Sequence, residues 1–412
     1  MLPIPFFILS SISIIFSFFL LVNRRLSILG FFCFLIIVPS SNIFNPFLSK
    51  NGFYFYDFYF LILSFHFMVF VIREKKITKA ILISCLFLFI FLSFYTYIFL
   101  FQNIIIDKYL LRDLRPFLIL FYSIIILNFL NNNFIQPNKY LLDINGFLRI
   151  LIFSFLIKIL FSFVTMFYPS LFTSDIYYIE QNYRYIDSIS FIAALFLVSI
   201  SSSDINKIGI DRILYFISIC LALIILIISN SRTLLAITFS LLILGSNLKI
   251  YKKLILMIPL IIIPYFYVEY FGISRILSMD ILGSLTTRFA PAVSKIMEMS
   301  IIERLFGYGL RTYFEIPWFE YRGLDPYLNS IDSMYLTFFV KYGFCSLLLI
   351  ILFLYLVTKN IVGKKDKLMI ITFFILLFIA YCPLYQNYAI TYIFYLILWS
   401  STILQAKELN KI

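Results

Sequence analysis

Arg232, Arg275, Arg288, Arg304 and Arg311 stand in or beside polar connections of an otherwise apolar chain, and Asp332 follows them at the foot of "DSMYLTFFVKYGF". A guanidinium is a planar fork that grips phosphate or carboxylate oxygens two at a time. A carboxylate beside such groups can orient a hydroxyl and take its proton. As a group the arginines suit an anion-binding site. Tyr335, one turn past Asp332, adds a hydroxyl, and Lys341 adds a further cation. In "LFGYGLR", Gly307 and Gly309 permit a tight turn that directs Arg311. Every one of these residues also has an ordinary reading. Arg232 can snorkel from the start of its span, Arg288 can partner a loop carboxylate, and Asp332 can cap a helix. Tyr335 can sit in an aromatic belt, and Lys341 can pair with a buried carboxylate.

The elements that must position them are membrane helices. Hydrophobic residues make up 63% of the 412-residue chain and charged residues 13%, against roughly 25% charged in soluble domains. Apolar runs recur near the length that crosses a hydrocarbon core of about 30 Å. They predict an all-α integral membrane protein of 12–13 spans: roughly 3–22, 26–44, 53–72, 80–101, 116–130, 147–166, 187–202, 213–229, 233–247, 254–270, 334–357, 368–383 and 388–404. The first run has no basic flank ahead of it and no small-residue cleavage site behind it, so it reads as a retained span. The chain thus divides into a many-span region over 1–270, one long connection over 271–333 and closing helices over 334–412, within a single membrane domain.

Basic clusters at "NRR", "REKK", "KIYKK" and "KKDK" fall on alternate connections, which places them inside and the long connection outside. The inner connections use mostly lysine and the outer ones mostly arginine, where Arg112, Arg115, Arg184 and Arg322 join the five above. The net charge of +13 is spread between spans as topology signals, so a nucleic-acid partner is not expected. All five cysteines and the sole histidine, His66, lie within apolar runs, which suggests neither a disulfide framework nor a metal site. Asp57, Glu269 and Lys158 are further ionisable groups in spans. Within the long connection, Pro291 is expected at a first helical position, with Val293, Ile296, Met297 and Ile301 on the apolar face of a surface-lying helix. "FEIPWFEYRGLDPY" sets Glu315, Glu320 and Asp325 among aromatics, as a sugar platform or as a packed loop.

"SNSRTLLAITFSLLIL", then "TTRFAPAVSKI" leading into "IERLFGYGLRTY", then "DSMYLTFFVKYGFCSLLLIILFL" follow one another around that connection. Together they resemble the O-antigen polymerase and ligase superfamily over the last 45% or so of the chain. The resemblance implies a GT-C-like, multi-pass protein of the bacterial inner membrane with its active site facing the periplasm. It also implies a metal-independent glycosyltransferase without cofactor, polymerising undecaprenyl-diphosphate-linked oligosaccharide repeats. Membrane lipids and a chain-length regulator protein would be its partners. Arg232 and Arg288 match arginines of the family pattern and become the catalytic candidates with Asp332. Arg311, Arg304, Arg275, Tyr335 and Lys341 become candidates for substrate binding. The ligase branch carries a histidine–asparagine pair where this chain has Asp332-Ser333. That departure favours a polymerase, with an O-antigen ligase or an O-unit flippase as the alternatives.

Overall fold

The structure, a computed structural model, describes residues 4–38, 54–74, 79–101, 107–131, 143–167, 188–202, 211–229, 231–246, 281–316, 326–361, 363–386 and 389–409. The described chain is almost wholly helical. In order it forms α1 (Ile4–Val22), α2 (Arg24–Ile37), α3 (Asp57–Glu74), α4 (Lys79–Phe101), α5 (Lys108–Asp113), α6 (Arg115–Asn131), α7 (Ile144–Phe167), α8 (Ser188–Ser202), α9 (Arg212–Ile228) and α10 (Arg232–Gly245). There follow α11 (Ile281–Glu298), α12 (Ile301–Phe306), strands β1 (Phe314–Glu315) and β2 (Tyr327–Leu328), α13 (Met334–Tyr342), α14 (Ser346–Thr358), α15 (Lys364–Ala380) and α16 (Ala389–Leu409). The expected run over 254–270 lies outside the described residues.

A helix that is apolar all round belongs in the middle of a bundle, and one with a single buried stripe belongs at its rim. Residues 188–199 of α8 and 389–403 of α16 are buried on every side, so these two helices form the centre. Around them α4, α7 and α9 turn large apolar side chains outward, including Phe89, Phe153 and Phe216. Three stretches are long and apolar enough to cross a membrane by length and composition: Leu82–Phe99, Ile144–Val164 and Met334–Thr358. Seven shorter apolar helices accompany them. The expected 12–13 crossings are therefore not matched by helices of full spanning length among the described residues.

Three features of this scaffold differ from the expectation or extend it. The run expected as one span over 334–357 is broken. α13 stops at Tyr342, Gly343 takes φ 55°, and a single 3₁₀ turn over Gly343–Cys345 leads into α14. A break inside an apolar segment frees carbonyls that need donors. Here the turn after α12 supplies them: Tyr308 N donates to Val340 O at 2.9 Å, and Gly309 N to Lys341 O at 2.8 Å. Tyr95 of α4 clasps both strands of this contact, with its hydroxyl 2.8 Å from Phe306 O and 3.0 Å from Tyr342 O.

Pro291 does not open a helix; it lies inside α11. The ring removes one donor, while Ala292 and Met299 pack with Phe314, Ile331 and Val340 in a small second core that carries the helix past the interruption. The third feature is Asp57, an ionisable group expected in a span, which is buried. Arg115 Nη1 holds both its oxygens at 2.8 and 2.7 Å, and Arg115 Nη2 donates to Tyr56 Oη at 2.6 Å. That clamp joins the start of α3 to the start of α6.

Candidate active site

Ser333 starts α13. Its Oγ accepts from Leu336 N at 3.5 Å and donates to Phe378 O at 3.4 Å, so the cap is also a bolt onto α15. Met334 N completes the bolt by donating to Tyr381 O at 3.1 Å. Because Ser333 does the capping, Asp332 is released from the role expected of it. Its Oδ2 lies 3.3 Å from Arg288 Nη1 of α11, with the two side chains 61% and 41% exposed.

Tyr381, at the end of α15, also joins a third element through its side chain. Its hydroxyl lies 2.6 Å from Ser231 Oγ. Ser231 is the N-cap of α10, accepting from Leu234 N at 3.3 Å, and Arg232 is the first residue of that helix. Of the three residues expected to be catalytic, Arg288 and Asp332 are in contact, and Arg232 opens the helix whose N-cap Ser231 meets the Tyr381 hydroxyl. The side chain of Arg232 lies outside the described residues. The Arg288–Asp332 pair sets a solvent-facing cation against a carboxylate. It can hold an anion and orient an alcohol. Among the described residues no group of three His, Cys, Asp or Glu converges as metal ligands would.

A second polar cluster is closed to solvent. Lys341 Nζ lies 2.7 and 2.8 Å from the two oxygens of Asp113, and both side chains are 0% exposed. Asp113 also accepts from Asn329 Nδ2 at 2.7 Å, from Arg311 N at 2.7 Å and from Tyr385 Oη at 3.1 Å. Lys341 Nζ donates to the Thr312 carbonyl as well. Burial pushes the Asp113 carboxyl above the usual carboxylate range, while Lys341, Asn329 and the Arg311 amide pull it back. With a donor on each approach, a carboxyl proton would have no acceptor, so the geometry accommodates the carboxylate. The cluster ties α5, the residues flanking β1 and β2, α13 and the turn before α16 into one unit.

Comparison with known protein families matches residues 25–407, nearly the whole chain, to the Family of unknown function (DUF6369). The chain belongs to DUF6369. No curated protein and no solved structure matches it.

In this DUF6369 chain the remaining candidates scatter. Arg311 has φ 70°, the only described non-glycine residue with positive φ, after the two positive-φ glycines expected of the turn. Its Nε donates to Asp107 Oδ2 at 2.7 Å, so the turn aims it at α5 rather than at Asp332. Arg304 is exposed in the last turn of α12. That helix opens with a capping box in which Ser300 N donates to Glu303 at 2.7 Å, and the hydrogen bonds from Ser300 hold the Glu303 carboxyl below its usual range. Arg275 lies outside the described residues. Tyr335 donates to Ile375 O at 3.2 Å on α15. Lys341 is committed to Asp113.

Residue reasoning did not find Asp113, Asn329, Tyr385, Asp107 or Tyr381. Lys341 signalled that some buried carboxylate must exist. Asp113 lies 228 residues earlier, where no local spacing could point to it.

Proposed function

We propose that this chain is a multi-pass membrane glycosyltransferase of the O-antigen polymerase kind, working on lipid-diphosphate-linked sugar repeats at the outer face of a bacterial inner membrane. The single observation that carries the reading is the solvent-facing Arg288–Asp332 pair, at 3.3 Å. Magnitudes separate it from the other polar cluster. An exposed ion pair contributes about 0–1 kcal/mol, so a ligand can part it cheaply. Opening a buried pair costs about 3–5 kcal/mol, which suits a scaffold and not a turnover step. The apolar outer surface of α4, α7 and α9 and the three long apolar stretches support the membrane part of the reading.

In the proposed reaction a hydroxyl of the acceptor sugar attacks the anomeric carbon of the donor glycan. The new C–O bond forms as the bond to the lipid diphosphate breaks, and the hydroxyl proton passes to Asp332. Arg288, with Arg232, neutralises the departing diphosphate. A unit-charge pair near a surface gains roughly 4 kcal/mol gross at 4 Å, less after desolvation, so two arginines lower such a barrier by several powers of ten. A positioned base adds about 10²–10⁴-fold. One displacement inverts the anomeric centre.

Gene disruption in a strain that makes O-antigen tests the proposal. Loss of a polymerase leaves lipid A-core capped with a single repeat, one short band on a gel. Loss of a ligase or flippase removes that band too, and would overturn the reading. Arg288→Ala and Asp332→Ala, at normal protein levels, are expected to give the single band, and full-length chains in both would remove the pair from the mechanism.

A further inference from the structure

The long connection folds a second surface, separate from the Arg288–Asp332 corner. β1 and β2 pair antiparallel with Phe314 opposite Leu328 and Glu315 opposite Tyr327. Side chains alternate across such a ribbon. Phe314 is fully buried, so Tyr313, Glu315 and Tyr327 share the outward face. Tyr313 is 41% exposed and Tyr327 38%. Their rings meet edge to face at 5.1 Å, and Tyr109 of α5 adds a third ring 5.5 Å from Tyr313. Two ammonium groups flank the rings. Lys108 Nζ stands 4.8 Å from the Tyr109 centroid, and Lys295 Nζ of α11 stands 5.7 Å from that of Tyr313.

We infer that Tyr109, Tyr313 and Tyr327, with Glu315, Lys108 and Lys295, form a binding platform for a saccharide chain. Three phenol rings offer flat apolar faces for the C–H faces of pyranose rings, each with a hydroxyl at its edge. One carboxylate and two ammonium groups supply the acceptors and donors that sugar hydroxyls require. Lys295 follows Arg288 by one heptad on α11, so both lie on nearly the same side of that helix, about 10 Å apart along it. The platform therefore lies in line with the proposed reaction corner, where it would hold the glycan whose end is being joined. The inference rests on the proposed function for its ligand class.

The test uses the full-length chain purified in detergent micelles and applied to an array printed with purified bacterial polysaccharides, alongside lipid-only and protein-only spots. Wild type is expected to bind at least one polysaccharide. Tyr313→Ala and Tyr327→Ala are expected to weaken that binding at least tenfold, and Tyr313→Phe to retain it at an unchanged melting temperature. Polysaccharide binding by wild type that survives both alanine variants overturns the platform. So does binding confined to the lipid-only or protein-only spots, or to no spot at all. Arg288→Ala is expected to bind the array like wild type. If it does so and still makes full-length chains in cells, the reaction proposal fails while the platform stands.

Discussion

Lys341 and Arg288 are both paired cations, yet separating the two pairs has unlike consequences. Asp113 and Lys341 are sealed from water, so removing one partner strands a buried charge; Asp332 and Arg288 can return to solvent. Lys341→Met or Asp113→Leu alone is therefore expected to lower stability by about 3–5 kcal/mol, read as a large fall in the melting temperature of the purified protein in detergent. The double variant Asp113→Leu/Lys341→Met should recover much of that loss, because no charge is left unpaired. Arg288→Ala and Asp332→Ala should stay within about 0.5 kcal/mol of wild type. Equal melting temperatures for the single buried variants and wild type would contradict this account. Sequence reasoning reached half of the picture: a lysine inside an apolar run requires a partner. It named Asp332 and Arg288 without foreseeing their contact, since Ser333 and not Asp332 takes the cap. Tyr381 was beyond reach because an aromatic residue in an apolar run looks like any other core side chain.

α13 and α14 show how an element's position can be legible while its shape is not. Hydropathy over 334–357 is continuous, so the segment reads as one span; the break depends on the backbone at Gly343 and on a partner from elsewhere in the chain. A β-carbon at Gly307 would overlap the Lys341–Tyr342 backbone, and one at Gly343 would overlap the Arg304–Leu305 backbone. Both glycines also have positive φ, which adds about 1–3 kcal/mol of strain for any other residue. Gly309 shares the positive φ, but its nearest neighbour is an Ile98 methyl at 3.8 Å. Gly307→Ala and Gly343→Ala are thus expected to detach α12 from the broken helix, and Gly309→Ala only to strain its own turn. Limited proteolysis of the purified chain should cut the 299–310 stretch faster in the first two variants than in the third. The same cutting rate in all three would mean that the docking does not depend on close backbone approach. Pro291 carries a related lesson. Its preference for a first helical position is real, but burial of Ala292 and Met299 keeps α11 intact through it.

On the scale of the whole molecule, charge sorting and helix direction make one joint statement. α15 begins with the lysine cluster Lys364–Lys367 and ends beside Tyr381, where Met334 and Ser231 attach. Its 17 residues rise about 25 Å, most of a hydrocarbon core of about 30 Å. α10 runs back the other way: Ser231 meets the end of α15, and Gly245 packs beside Met369 near its start. The Arg288–Asp332 corner and the lysine cluster are therefore at opposite ends of an antiparallel helix pair. If the lysines face the cytoplasm, as their distribution predicts, the corner and α11 face outward. Cysteine labelling decides this, because the five native cysteines are free and all lie within apolar runs. Ser294→Cys, exposed on α11, is expected to react with a membrane-impermeant maleimide in intact spheroplasts. Lys365→Cys, exposed at the start of α15, should react only after lysis. The reverse pattern would put the corner in the cytoplasm, out of reach of an outward-facing carrier lipid, and would end the polymerase proposal. Labelling of both positions in intact cells would mean that α15 does not cross the membrane, so that the two ends of the pair share one side.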